Sequence, residues 1–213
     1  RGLAPDASIS IITDEPHEQY SRVLLPHYVR HKVEKEQVFL KKPQWYVDKK
    51  IELLKGVRAQ RLEVSGKIVT LDNGEEIQYG KLLISIGGYV IKFQAPGADL
   101  SNILYFRTIE NAQKIIEVAS KSKKAVIVGG GFIGMEFASC MKKNGVEDVT
   151  VLVMEPFYWK GKLDEDSSKV LVSTLERNGI KVLVNEQVDH FEGESKVGAV
   201  VTKSGQRFEA DMV

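Results

Sequence analysis

The chain has 213 residues, with 30 Lys plus Arg against 29 Asp plus Glu and a formal net charge of +1. That balance gives no long-range pull toward phosphate backbones or anionic lipid, which argues against a dedicated nucleic-acid-binding or membrane-surface protein. At 43% hydrophobic residues the chain is apolar enough to fold, and its single cysteine excludes a disulfide framework and an internal dithiol pair.

In chain order, residues 8–13 (SISIIT) read as a buried strand bounded by Pro5-Asp6 and Asp14-Glu15-Pro16. A polar and aromatic stretch follows, with short helices expected at residues 24–31 and 43–50, Pro43 suiting a helix start. Residues 51–54 form a short strand. Residues 58–64, 67–72 and 75–78 read as a β-meander turning at Ser65-Gly66 and Asp72-Asn73-Gly74. Residues 82–86 are fully apolar and read as another strand, ended by Gly87-Gly88. After a loop at 94–102 comes a helix to Ala119 with Thr108 as its N-cap. Then follow a strand at 125–128, a helix at 132–144, a strand at 149–154, a helix at 164–178 ended by Gly179, and a strand at 181–184. A second meander is expected at 188–192, 197–203 and 207–213. The apolar stretches at 82–91 and 125–135 are too short to cross a bilayer, where roughly 18 or more residues are needed. No basic segment followed by an apolar one opens the chain, so a cytoplasmic location is expected. His17, His27, His31 and His190 lack metal-ligand spacing, and no metal site is expected.

The sharpest motif is Gly129-Gly130-Gly131-Phe132-Ile133-Gly134, which follows an apolar strand and opens a helix. Gly129 permits the tight turn, Gly131 leaves room for a pyrophosphate, and Gly134 lets helix and strand pack closely. The helix N-terminus presents N–H groups and a positive dipole end to phosphate. Glu155 closes the next strand, 21 positions after Gly134. A carboxylate there accepts from both ribose hydroxyls and repels a 2′-phosphate, which predicts NADH in preference to NADPH. Lys160 and Lys162 lie close enough in sequence to soften that preference.

Gly129–Glu136 (GGGFIGME) resembles the NAD-binding module of the pyridine nucleotide-disulfide oxidoreductase superfamily, flavoproteins with two dinucleotide-binding domains. Glu15-Pro16 with Tyr20-Ser21-Arg22-Val23-Leu24-Leu25, then Tyr79–Gly87 (YGKLLISIG), then Phe106–Ala112 (FRTIENA), resemble further motifs of that family in the same order. The subgroup most similar comprises the NADH-dependent nitrite, rubredoxin and ferredoxin reductases. The resemblance implies an α/β fold of Rossmann-like three-layer dinucleotide-binding domains with β-meander insertions. Residues 1–107 would be a partial FAD-binding domain lacking its first glycine-rich βα unit. Residues 108–213 would be an NAD-binding domain lacking its last strand end. With Arg1 only fourteen positions before Glu15, the family's first glycine loop, expected about 20 residues upstream of that acid, would fall outside the chain. These residues alone would therefore bind NAD better than FAD.

The resemblance also assigns roles. Glu15 would bind the adenosine ribose of FAD, and the backbone of Ala59 would meet its adenine. Tyr20, Arg22, Ser85, Gly87 and Arg107 would line or contact the flavin nucleotide. Phe132 would cover the flavin until nicotinamide arrives, or simply pack at the helix start. Glu136, expected in the first helical turn, would orient the nicotinamide carboxamide. His27 stands where many relatives carry a flavin-contacting lysine. No cysteine lies in residues 16–31, where disulfide reductases carry their pair, and Cys140 is expected to be a buried packing residue. The implied activity is hydride transfer from NADH to FAD and onward passage of electrons to an acceptor protein or fused redox module, without a redox disulfide. The alternative is a non-catalytic dinucleotide-binding or sensor module.

Overall fold

The computed structural model describes Gly2 and residues 5–213. Its elements run β1 (Ile9–Thr13), α1 (Leu25–Val29), α2 (Pro43–Asp48), β2 (Ile51–Lys55), β3 (Ala59–Glu63), β4 (Ile68–Leu71), β5 (Glu76–Gln78), α3 (Ile109–Ala119) and β6 (Lys124–Val128). They continue as α4 (Phe132–Lys143), β7 (Asp148–Leu152), α5 (Glu165–Arg177), β8 (Ile180–Leu183), β9 (Val188–Gly193), β10 (Val197–Thr202) and β11 (Arg207–Glu209). Two compact units result. The first holds the described residues up to Ser21 together with Glu34–Gly88, and the second holds Arg22–Val33 and Tyr89–Val213.

In the first unit β1 pairs in parallel with β2, Ile9 opposite Ile51. The meander β3-β4-β5 has β4 at its centre, where Val69 and Leu71 are buried. Pro43 sits at the start of α2, where its missing N–H costs nothing. The strand expected at residues 82–86 is not formed: the segment is irregular, with Leu83 87% and Ile86 84% exposed. An apolar run becomes a strand only where a neighbouring ladder receives its N–H and C=O groups. Among the described residues β1 and β2 pair only with each other, and 82–86 pairs with neither.

In the second unit β6, β7 and β8 form a parallel sheet in that order, with α4 and α5 as the crossovers. The meander β11-β10-β9 packs against it. Val126 and Leu152 share a core cluster with Val188, Phe191, Val197, Val200 and Ala210. α3 buries Ile109, Ala112, Ile115, Val118 and Ala119, the stripe that helical spacing predicts. Its N-cap is Thr108: the hydroxyl accepts from the Asn111 N–H at 3.3 Å while the Asn111 side chain accepts from the Thr108 N–H at 3.0 Å. Asp164 caps α5 through the Ser167 N–H at 2.7 Å, and Gly179 ends the turn at φ +74°.

The last expected strand is shorter than its sequence suggests. β11 ends at Glu209, and residues 211–213 leave the meander for the free edge of β6. Met212 bridges Ala125 in parallel, Val126 N–H donates to the Met212 carbonyl at 3.1 Å, and Asp211 accepts from the N–H groups of Lys123 and Lys124 at 2.7 and 2.9 Å. The expected helix at 24–31 is also compacted, to a 3-10 turn at Arg22–Leu24 followed by α1. α1 lies on α4: the Asn144 amide donates to the Val29 carbonyl at 2.7 Å, and the Cys140 thiol donates to the Pro26 carbonyl at 3.5 Å.

Thr108→Ala leaves the Asn111 N–H without its partner and is expected to lower the unfolding free energy by about 1 kcal/mol. The reading is a lower urea midpoint with an unchanged slope, largely restored in Thr108→Ser.

Candidate dinucleotide site

The site grows from the end of β6. Gly129 N–H donates to the Leu152 carbonyl at 2.9 Å, carrying the β6–β7 ladder one residue past the strand. The chain then turns sharply, with Gly129 at φ +108°, a conformation that residues with a Cβ rarely adopt. Gly131 is the N-cap residue and Phe132 opens α4. A Cβ on Gly134 would lie 2.1 Å from the Gly129 carbonyl oxygen, so the helix closes on the turn as far as backbone permits. A Cβ on Gly131, by contrast, would meet nothing within 4 Å. Room for a ligand therefore lies in front of the first-turn N–H groups of α4, which have no partner within the helix. The cradle fits a pyrophosphate.

Glu155 reaches the same edge. Val153, two residues earlier, donates to the Leu183 carbonyl at 2.8 Å, and its methyl carbon lies 2.9 Å from where a Gly130 Cβ would stand. The Glu155 carbonyl is held by the Asn185 N–H at 3.0 Å while its side chain is exposed.

The following segment, 156–163, folds back over the glycine turn. Tyr158 is fully buried, and its Cε2, beside the hydroxyl, lies 3.4 Å from the Gly130 Cβ position. Its hydroxyl has no hydrogen-bond partner, and burial pushes its pKa up to about 12. Trp159 is held at φ +59° and meets the Phe132 ring at 4.3 Å between centroids; its indole N–H is also buried without a partner. The Trp159 carbonyl accepts from Lys162 N–H at 2.8 Å and Leu163 N–H at 3.0 Å, closing a tight turn. That turn brings the Lys162 ammonium to 5.9 Å from the Phe132 ring centre. Sequence reasoning did not find Tyr158 or Trp159. Their signal was the aromatic run Phe157-Tyr158-Trp159, which begins two residues after Glu155.

Phe132 and Ile133 are both exposed at the helix start. Glu136 departs from expectation. Because α4 begins at Phe132, Glu136 is its fifth residue and lies beyond the first turn, where the dipole effect has faded. Its partner is Arg30, at 3.8 Å, an arginine that no motif had marked.

The expected flavin-side residues fall in both units. In the first unit the Tyr20 hydroxyl donates to the Glu15 carboxylate just past the end of β1. Ala59 opens β3 opposite Leu71, and Ser85 and Gly87 lie in the exposed segment after the meander. In the second unit the Arg22 guanidinium donates to the Arg107 carbonyl at 2.6 Å. His27 lies half-buried on α1. Cys140 is fully buried in α4, and burial pushes its thiol up to about 12. Among the described residues no group of three or more His, Cys, Asp or Glu is placed to hold a metal, and no helix is long and apolar enough to cross a membrane.

A parallel β-α-β unit with a glycine turn tucked under its helix and an acid at the end of its second strand defines a Rossmann-type dinucleotide-binding protein. The chain belongs to the pyridine nucleotide-disulphide oxidoreductase family, whose profile matches residues 3–213. It is 28% identical over 205 residues to the nitrite reductase [NAD(P)H] of Bacillus subtilis (strain 168), covering 96% of this chain and 25% of that protein. It is also 28% identical to the NADH-rubredoxin oxidoreductase of Clostridium acetobutylicum, covering 96% and 53%. The ferredoxin reductase for the CYP199A2 system from Rhodopseudomonas palustris superposes with a TM-score of 0.91 at 26% identity, covering 98% of this chain and 52% of that one. The chain thus spans between a quarter and about half the length of these relatives.

Three outcomes follow from this geometry. Gly134→Ala sets a Cβ against backbone that cannot yield, and is expected to destabilise by about 1–3 kcal/mol and to abolish NADH binding by calorimetry. Tyr158→Phe removes a buried hydroxyl without a partner, whose desolvation costs about 1–3 kcal/mol, so the nucleotide-free variant is expected to unfold at equal or higher urea. The Cys140 thiol stays protonated well above neutral pH. It is expected to resist a thiol reagent at pH 8 in native protein and to react at once in urea.

Proposed function

We propose that the protein containing this chain is an FAD-dependent NADH oxidoreductase that passes electrons to an external acceptor without a redox disulfide. The observation that carries the reading is the glycine turn at Gly129–Gly134 under the start of α4, with Glu155 three residues past the end of β7. In this reading Gly129, Gly130, Gly131, Ile133 and Gly134 receive the NADH pyrophosphate through backbone N–H groups. Glu155 accepts from the adenosine ribose and disfavours a 2′-phosphate. Glu15 binds the corresponding ribose of FAD, and Tyr20, hydrogen-bonded to it, holds one carboxylate oxygen in place. Arg22 and Arg107, joined through the Arg107 carbonyl, serve the flavin nucleotide with Ala59, Ser85 and Gly87. The division into an FAD-binding part, 1–107, and an NAD-binding part, 108–213, belongs to the same proposal.

A bound FAD would supply hydride acceptance from the nicotinamide and electron release, singly or in pairs. The chain's own residues bind and orient. Glu136, steadied by Arg30 at 3.8 Å, positions the carboxamide, and Phe132 covers the flavin position until nicotinamide arrives. The burial of Cys140 supports electron exit from the flavin without a thiol relay. The names of the rubredoxin- and ferredoxin-reducing relatives favour a small iron protein as acceptor.

The full-length protein is expected to be yellow, to bleach with NADH under anaerobic conditions, and to reduce ferricyanide with a clear preference for NADH over NADPH. Glu155→Ala is expected to lower kcat/KM for NADH about tenfold, the scale of one lost charge-assisted contact, and to narrow the preference. A colourless protein that takes up no FAD would sink the enzyme reading. A native preference for NADPH would sink the role of Glu155.

A further inference from the structure

Among the described residues Glu186 is the only Asp, Glu, Lys or Arg that is buried, at 7% exposure. A carboxylate taken out of water is costly unless its oxygens are hydrogen-bonded. Here both are, and both donors come from one distant turn. The Ser204 hydroxyl donates to Oε2 at 2.8 Å, and the Gln206 side-chain amide donates to Oε1. The turn joins β10 to β11 and is closed by the Gly205 N–H on the Thr202 carbonyl at 2.9 Å. The buried Thr202 hydroxyl lies 2.9 Å from the Ser204 oxygen and carries the network inward. Backbone joins the same two pieces, since Lys203 N–H donates to the Gln187 carbonyl at 2.8 Å. On its other side the Glu186 loop holds the segment that bears Glu155. Glu186 N–H donates to the Val153 carbonyl at 3.0 Å, and the neighbouring Asn185 N–H donates to the Glu155 carbonyl at 3.0 Å. Asn185 stands at φ +57°, a conformation that persists where the surroundings fix it.

We propose that Glu186 is a positioning residue for Glu155: its carboxylate, clipped to the 203–206 turn, fixes the Asn185–Glu186 backbone that holds Glu155, and through it sets the preference for NADH over NADPH. The proposal rests on the reading of Glu155 as the ribose acid and adds to it a residue on another loop. The clip works by geometry. Both of its donors are neutral, and an amide of the same shape can keep both bonds, with Ser204 and Thr202 exchanging donor and acceptor roles. Removing the side chain leaves the 185–186 backbone with its bonds to Val153 and Glu155 but without its anchor on the meander. Glu155 then loses its fixed place, so it binds ribose hydroxyls less well and repels a 2′-phosphate less.

Calorimetric titration of the full-length protein with ADP-ribose and 2′-phospho-ADP-ribose tests this, since the pair differs only at the 2′ position and undergoes no hydride transfer. Glu186→Ala is expected to weaken ADP-ribose about fivefold, the scale of one net hydrogen bond, and to leave 2′-phospho-ADP-ribose unchanged or tighter, so that the preference narrows. In a Glu155→Ala background the same substitution changes the ratio little further. Glu186→Gln keeps the wild-type ratio. Ser204→Ala combined with Gln206→Ala, both on an exposed turn, reproduces the narrowed ratio and carries the test if Glu186→Ala does not fold. Equal losses for both ligands, or none, in a protein where Glu155→Ala still narrows the ratio would overturn the positioning role and leave the Glu155 reading standing. A ratio narrowed as much by Glu186→Gln as by Glu186→Ala would trace the effect to charge and overturn the geometric clip. An unchanged ratio in Glu155→Ala would overturn the ribose reading and this inference together.

Discussion

The candidate site depends on the contact between two pieces of backbone, the Gly129 carbonyl and Gly134. Helix α4 can start where it does only because no side chain stands between them; a single methyl would sit 2.1 Å from the oxygen. From that approach the rest follows. The first turn of α4 is held at the carboxyl end of β6, its N–H groups face the space in front of Gly131, and β7 runs alongside to deliver Glu155 to the same edge. The dipole effect fades within a turn, so the point at which α4 starts decides which space its N–H groups serve.

Around that contact the chain recruits residues from distant positions. Arg22–Val33 belongs to the second unit, and α1 docks on α4 through Asn144 and Cys140. The docking supplies Arg30 to Glu136 and removes the only thiol from solvent. The 156–163 segment folds over the glycine turn, trading two unpaired polar groups for aromatic contacts with Gly130 and Phe132. Stability and site construction pull against each other there, as is common where a fold serves a ligand.

Much of this was legible in the residues. The glycines and Glu155 stand at a spacing dictated by the length of one βαβ unit. The Thr108 cap, the Gly179 stop and Pro43 at a helix start are local chemistry, decided within a few residues of themselves. Legibility failed where an outcome depended on a remote partner. Residues 82–86 have the composition of a buried strand but pair with no neighbouring strand. Met212 reads as the end of a meander but pairs with Ala125 at the edge of β6. Glu136 was expected in the first helical turn, but it is the fifth residue of α4 and its partner is Arg30, 106 positions away in the chain.

The sequence by itself determined the fold class, the glycine turn, the acid at the end of the next strand and the family, because each is carried by residue types at short fixed spacings that backbone geometry demands. The tertiary structure alone decided which strands found edges, that Tyr20 holds Glu15, that Arg30 faces Glu136, and that Tyr158 packs against Gly130 and Trp159 against Phe132. Those pairings join residues on different elements. Their distance in space is set by packing, and no local spacing rule encodes it.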